Sequence, residues 1–211
     1  MGFKRRFIAA ACIAAGSMCA PSAAASLEPV TYEVCGGAAQ LVAVAGALVP
    51  PKSRRSEAAL RPLMSSDVHI SGSGGNFLVE GAGARQVVSV PPGVGPKACS
   101  VTGDDTKKVQ SGDGISGISL IALQAAVEYR SLHPWPLGAA NTDDPNASAN
   151  VQIRGRYAFV FLSNFTPHEL GCAGVEYYRV DPATLDVRPF DGCIEGHRPR
   201  PDLPGLRQLP E

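Results

Sequence analysis

GCAGVEYYRVDPATLDVRPFDGC, residues 171–193, has apolar residues on both sides of a turn and a cysteine near or at each end. The turn is predicted at residues 181–184, DPAT, because aspartate suits the first position of a β-turn and proline the second. Val180 then faces Val187 across an antiparallel pair. This stretch therefore predicts a β-hairpin, which the rest of the chain must accommodate.

Four cysteines follow the first 25 residues: Cys35, Cys99, Cys172 and Cys193. Cys172 and Cys193 come nearly opposite each other at the open end of the hairpin, once one bulge residue or a slight slip is allowed. By elimination, Cys35 pairs with Cys99. The sequence contains neither a CxxC redox motif nor the close cysteine spacing of a zinc knuckle, so structural disulfides are the favoured interpretation.

Residues 1–25 have the features of a secretory signal peptide. Three basic residues, KRR, precede the apolar run FIAAACIAAGSMCA, and the segment ends in small residues that suit a cleavage site. We expect a mature protein that starts near Ser26 and is periplasmic or secreted; an uncleaved N-terminal anchor is the alternative. The apolar run is shorter than the roughly 20 residues that a spanning helix requires, so no transmembrane anchor is expected after cleavage.

The charge balance bears on the kind of partner. The precursor carries 19 Lys and Arg residues and 19 Asp and Glu residues. Because the signal peptide holds three basic residues and no acidic one, the mature chain has a formal charge of −3. A protein that binds nucleic acid needs a basic excess on some face, so no nucleic-acid partner is expected. Another envelope or secreted protein is the expected kind of partner.

The N-terminal half, residues 26–110, is predicted to combine helices with short strands. GGAAQLVAVAGALV, residues 36–49, is rich in alanine and nearly continuous in apolar residues, which favours a buried helix. SEAALRPLM, residues 56–64, is predicted to form a short helix that Ser56 caps and Pro62 limits. The strand candidates DVHI, NFLVE, RQVVSV and CSVT follow, separated by glycine-rich turns.

The C-terminal half, residues 111–196, is predicted to contain one helix and an antiparallel sheet. ISGISLIALQAAVEYRSLHP indicates a mostly buried helix over residues 117–132, because its polar strip is narrow. VQIR and YAFVFL follow as strands, and the continuous apolar character of YAFVFL suits a central strand. The expected fold class is α+β, with an antiparallel sheet packed on the helix and a disulfide-stapled C-terminal hairpin. One domain and two lobes are both compatible with this pattern.

The order helix, strand, strand and hairpin, together with the YRVDPATLDV turn, is similar in outline to PepSY and cystatin-like modules, which wrap a sheet around one helix. The similarity covers the C-terminal part of the chain and implies neither a function nor a role for any residue. The remaining residues, 197–211, are rich in Pro and Arg and are expected to form an extended tail.

Catalytic motifs are largely absent from the sequence. No serine has a glycine two residues before and two residues after it, so there is no nucleophile elbow. His168-Glu169 begins like a zinc-protease motif but lacks the second histidine. No metal site and no cofactor are expected. A hydrolase would require the fold to bring His133, His168 or His197 beside a carboxylate.

The candidate binding residues lie in the loops that lead into and out of the central strand: His133, Trp135, His168 and Glu169. Trp135 lies in a proline-stiffened turn, where an exposed tryptophan offers a large contact area at low entropic cost; the alternative is that it plugs the core. The sequence therefore predicts an exported, disulfide-stabilised binding, inhibitor or envelope-interaction module without catalytic activity. A hydrolase whose site is assembled from scattered histidines and carboxylates is the alternative function.

Overall fold

The computed structural model describes residues 31–73, 75–97, 114–133, 140–163 and 175–189. Within these ranges the chain forms three α-helices and two antiparallel sheets, which confirms the mixed α+β class. The predicted signal peptide and the predicted tail lie outside the described residues, as does the strand candidate CSVT.

The elements follow one another in an order that places most of the strands after the first two helices. The helices are α1 (Ala38–Leu48), a 3₁₀ turn (Lys52–Arg54), α2 (Glu57–Met64) and α3 (Gly117–Leu132). The strands are β1 (Thr31–Gly37), β2 (Asp67–Ser73), β3 (Asn76–Gly81), β4 (Ala84–Ser89), β5 (Ile115–Ser116), β6 (Ser148–Arg154), β7 (Tyr157–Ser163), β8 (Val175–Asp181) and β9 (Asp186–Pro189).

The larger sheet has five strands in the order β1-β6-β7-β8-β9, and each neighbouring pair is antiparallel. YAFVFL forms β7 at the centre of this sheet, as predicted. The hairpin register is also confirmed, because Val180 pairs with Val187 and Asp181 with Asp186. The cysteines that were predicted to staple this hairpin, Cys172 and Cys193, lie outside the described residues.

Strand β1 was not expected from the sequence, which assigned Gly36 and Gly37 to the first helix. Instead, residues 31–37 pair with β6, and the helix begins at Ala38. Gly36 suits this strand because its φ is 155° and an added Cβ would lie 2.8 Å from the carbonyl oxygen of Gly95. Pairing with a distant strand therefore outweighs the local helical preference of this segment.

The smaller sheet has the strand order β4-β3-β2-β5. Its three longer strands contain the predicted DVHI and NFLVE segments and all of RQVVSV except Val90, which follows the end of β4. Ala82 and Gly83 form the two-residue turn between β3 and β4, and both have positive φ, as a type I′ turn requires. The very short strand β5 was not expected from the sequence; it pairs with the start of β2.

Helix α3 spans the predicted residues 117–132 and packs between α1 and the five-stranded sheet. Most of its surface is covered, and five of its apolar residues have no exposed surface: Leu120, Ile121, Ala122, Leu123 and Ala126. The antiparallel sheet packed on a mostly buried helix is therefore observed. Strand β1, which precedes α1, joins the larger sheet, and β5, which precedes α3, joins the smaller one.

Candidate functional site

His133, the only sequence-predicted binding residue that the structure describes, lies at the C-terminal end of α3 and is exposed. Its ring stacks on that of Tyr129 at a centroid distance of 4.2 Å. Its Nδ1 lies 3.1 Å from the carbonyl oxygen of Tyr129. No described carboxylate hydrogen-bonds to this ring. Among the described residues, His133 is thus held at the surface by Tyr129 and is not placed beside an acid.

A buried polar cluster lies just below the end of α3, and we call it the Glu176 cluster. Glu176, on β8, has no exposed surface. Its Oε1 accepts hydrogen bonds from Nε of Arg130 at 3.0 Å and from the backbone N–H of Ala140 at 2.6 Å, and its Oε2 accepts one from the hydroxyl of Tyr178. Arg130 also donates to Thr142 Oγ1 at 3.2 Å. Both carboxylate oxygens are therefore occupied.

Tyr178 stays protonated in this cluster. Burial raises the pKa of its hydroxyl above the usual value, and the hydrogen bond to Glu176 raises it further. The ring also contacts Tyr129 edge to face, at a centroid distance of 6.0 Å. The neutral hydroxyl of Tyr178 donates to the buried carboxylate of Glu176. This arrangement suits a structural role better than proton exchange with a substrate. The cluster ties the chain at 140–142 to α3 and β8.

Trp135, His168 and Glu169 lie outside the described residues. The structure has Cys35 in a disulfide, and its partner also lies outside the described ranges. In the part of the chain that is described, no group of three or more His, Cys, Asp or Glu side chains is arranged to hold a metal ion.

A second group of polar residues lies on the face of the larger sheet that points away from α3. Side chains alternate along a strand, so the buried row Val151, Val160 and Tyr178 faces the helix while the neighbouring positions face outward. Tyr157, Arg179 and Arg188 occupy outward positions at one end of this face, and Arg156 lies beside Tyr157 in the turn between β6 and β7. We call these four residues the Arg179 surface.

Tyr157 is the centre of the Arg179 surface. The guanidinium carbon of Arg179 lies 4.8 Å from the centroid of its ring, and that of Arg156 lies 5.0 Å from the same centroid. Arg179 pairs directly across the strands with Arg188, so two like charges face each other. Further along the same face, Phe161 and Tyr177 are buried and pack edge to face.

Arg156 and Arg188 have carboxylate partners on this surface. Arg156 donates to Asp181, and Nε of Arg188 lies 2.9 Å from Oδ2 of Asp186. Burial raises the pKa of Asp181, but hydrogen bonds from Arg156 and from the backbone N–H of Ala183 outweigh it, so the pKa lies below its usual value. The carboxyl of Asp181 is therefore ionised and neutralises the charge of Arg156.

A groove of about 500 Å³ lies between α2 and the β8–β9 turn. Leu60, Met64 and Leu185 supply its apolar part. Its ionisable lining residues are Arg55, Glu57 and Arg61, and Glu57 pairs with Arg61 at 2.8 Å. No histidine lines this groove, so it does not provide the histidine and carboxylate pair that a hydrolase of the expected kind requires.

The residues of both groups were missed at the sequence level. VEYYRVD does show the alternation of a strand, with Glu176 and Tyr178 on one face and Tyr177 and Arg179 on the other. The pattern does not say which face the helix covers, because each face carries a charge and a tyrosine. Only the packing of α3 distinguishes the buried Glu176 from the half-buried Arg179.

No protein-family model matches this chain, and comparisons with curated proteins and with solved structures gave no match. Among the helices that the structure describes, none has the length and apolar character needed to cross a membrane.

Proposed function

We propose that this protein is an exported, disulfide-stabilised binding module without catalytic activity, and that its partner is another envelope or secreted protein. The proposal includes a periplasmic or secreted location after cleavage near Ser26, and a hairpin stapled by Cys172 and Cys193. N-terminal sequencing of the secreted protein tests the first point, and a full-length cytoplasmic product with free thiols would contradict it.

The observation that carries the proposal is the exposed end of α3. Leu132 is 66% exposed although it ends an otherwise well-covered helix, and the exposed His133 follows it. The Glu176 cluster holds the chain beneath these two residues. Exposed apolar surface on a rigid support favours a contact site for another protein, and Trp135 comes only two residues later.

The alternative, a hydrolase, is less well supported by the described residues. Its acid would have to be a carboxylate that exchanges protons and reaches the substrate. Glu176 is linked to the Tyr129 and His133 stack through Tyr178, and it has both oxygens occupied and no exposed surface. The sealed cluster therefore favours binding over catalysis.

Capture of a partner from the native envelope fraction tests the proposal. The immobilised mature protein should enrich one protein, identified by mass spectrometry and then shown to bind when purified. Leu132→Ser and Trp135→Ala should weaken capture while the melting temperature stays within a few degrees. Val87→Ser is the matched control, because Val87 is 69% exposed on β4 of the other sheet and should leave capture unchanged.

Two results would contradict this view. If Leu132→Ser captures the partner fully and Val87→Ser does not, the contact site lies on the smaller sheet. Turnover of ester, peptide or phosphate substrates that His133→Ala abolishes would favour the hydrolase. A loss of about 3 to 5 kcal/mol of stability in Trp135→Ala would identify Trp135 as a core residue instead of a contact residue.

A further inference from the structure

We propose that the Arg179 surface is a second binding surface and that it receives an acidic segment of a protein partner. It lies on the opposite face of the sheet from α3, so it goes beyond the contact site proposed above and is tested separately. The inference rests on the charge of Arg179, the position of Tyr157 and the shape of the surface.

Among the residues that the structure describes, Arg179 is the cation on this surface that has no carboxylate partner. Arg156 is neutralised by Asp181 and Arg188 by Asp186. Arg179 forms no ion pair with any described residue, although it is half-buried and faces Arg188 across the strands. Two guanidinium groups opposite each other repel, and an anion between or above them removes the repulsion. The unmet charge therefore favours an anionic ligand.

Arg179 is also held in place before any ligand arrives. It lies on β8, between β7 and β9, and its guanidinium rests over the ring of Tyr157. Stacking on an aromatic ring leaves the edge of the guanidinium open to a carboxylate, which it binds with two parallel hydrogen bonds. Because Arg179 is already oriented, less conformational entropy is lost on binding.

The shape and charge of the surface favour a protein segment over other anions. A small anion is usually held in a concave site, whereas Arg179 lies on the face of a sheet and is not among the residues that line the groove beside α2. Nucleic acids and anionic membranes require an extended basic excess, whereas the whole chain has a formal charge of 0 and two of the three arginines here are already paired. Tyrosine and arginine, together with tryptophan, are enriched among the residues that dominate the binding energy of protein interfaces.

Binding of a short fluorescein-labelled peptide that alternates glutamate and serine, followed by fluorescence anisotropy, tests the inference. The mature protein should bind this peptide, and a lysine and serine peptide of equal length should not bind. Arg179→Gln should weaken binding about tenfold or more. Arg85→Gln is the matched control, because Arg85 is an exposed arginine on β4 that pairs with Glu80, and its removal should change the affinity less than twofold. Added salt should weaken binding.

The other outcomes would overturn the inference. If Arg179→Gln and Arg85→Gln lose equal affinity for the acidic peptide, the peptide binds by general electrostatic attraction and not at a defined surface. Binding to anionic lipid vesicles or to inorganic phosphate, with no binding of the acidic peptide, would identify a different ligand. A peptide affinity that Arg179→Gln leaves unchanged would place the site elsewhere, while capture of the envelope partner through Leu132 would still stand. Melting temperatures of both variants within a few degrees of the wild type exclude misfolding as the cause.

Discussion

Cys35 and Lys97 exchange two backbone hydrogen bonds, each 3.0 Å between nitrogen and oxygen, which makes the segment before Cys99 an outer neighbour of β1. The segment is held at two further points, since the N–H of Gly37 donates to the carbonyl oxygen of Val94 at 2.7 Å and Gln40 donates to the carbonyl oxygens of two prolines. The edge of β1 is therefore covered by proline-rich chain, which protects it from pairing with other molecules.

This pairing supports Cys99 as the disulfide partner of Cys35. Cys99 follows Lys97 by two residues, which span at most about 7 Å. Val175, the first residue of β8 after Cys172, lies three strands from β1, or about 14 Å away. Peptide mapping without reduction should therefore recover Cys35 joined to Cys99, and Cys172 joined to Cys193. A peptide that links Cys35 to Cys172 would show that this assignment and the stapled hairpin are both wrong.

The Glu176 cluster should make the protein sensitive to alkaline pH through Tyr178. The pKa of this tyrosine is raised in the folded state, so its contribution to stability is complete below the unfolded value of about 10 and is lost as the pH rises above it. Tyr178→Phe should lower the free energy of unfolding by about 1 to 3 kcal/mol at pH 7, because Glu176 loses a donor. The difference in the free energy of unfolding between Tyr178→Phe and the wild type should become smaller above pH 10.

Urea denaturation at pH 7 to 11 measures this effect. Tyr157→Phe is the matched control, since the hydroxyl of Tyr157 forms no hydrogen bond with the residues that the structure describes. Its stability should follow that of the wild type at every pH. If Tyr178→Phe and the wild type keep a constant difference up to pH 11, Tyr178 does not hold the raised pKa that its burial implies.

Replacing each of two glycines by alanine should change the stability of the protein in opposite directions. At Gly117, the first residue of α3, an added Cβ would clash with the carbonyl oxygen of Leu63, so Gly117→Ala should cost about 1 to 3 kcal/mol or more. At the exposed Gly46 in α1 the nearest atom, Oε1 of Gln124, is 3.6 Å away. Gly46→Ala should therefore stabilise the protein by about 0.5 to 1 kcal/mol. Urea denaturation with intact disulfides measures both, and a stable Gly117→Ala protein would contradict the close packing of α2 on α3.

The ion pair between Arg55 and Glu128 should contribute stability that acid removes. Arg55 donates to the two oxygens of Glu128 at 2.7 and 2.8 Å, and its side chain is only 5% exposed. Burial raises the pKa of Glu128, but hydrogen bonds from Arg55 and Gln124 outweigh it and leave the pKa below its usual value. This contribution is therefore present above pH 4 or so and is lost as the pH falls through the folded pKa.

Glu128→Gln measures the size of this contribution. It should reduce the free energy of unfolding by about 1 to 3 kcal/mol at pH 7, because a buried guanidinium loses its carboxylate. The loss should shrink as the pH approaches 3. Glu57→Gln is the control: its exposed pair with Arg61 should contribute less than about 1 kcal/mol. Equal effects of the two substitutions would mean that the Arg55 pair behaves as a surface pair.

Local signals predicted much of the fold. The bounds of α3, the Ser56 cap of α2, whose Oγ accepts a hydrogen bond from the N–H of Ala59, and the register of Val180 with Val187 were all read from neighbouring residues. Each depends on helix periodicity, capping or turn chemistry, which act over a few residues. Strands β1 and β5 were missed, because their partners are far away in the sequence and their own residues carry a weak strand pattern.

The sequence by itself determined the α+β class, the central strand and the hairpin, because alternating and helical patterns of apolar residues specify which segments must be buried. Only the tertiary structure decided the environments of the two groups of polar residues, the Glu176 cluster and the Arg179 surface. Glu176 and Arg179 lie on the same strand, three residues apart. Because α3 packs against one face of the sheet, Glu176 is buried inside a cluster, whereas Arg179 is half-buried on the other face. Burial by a distant element is not encoded in the local pattern, so the environment of each charge became known only from the fold.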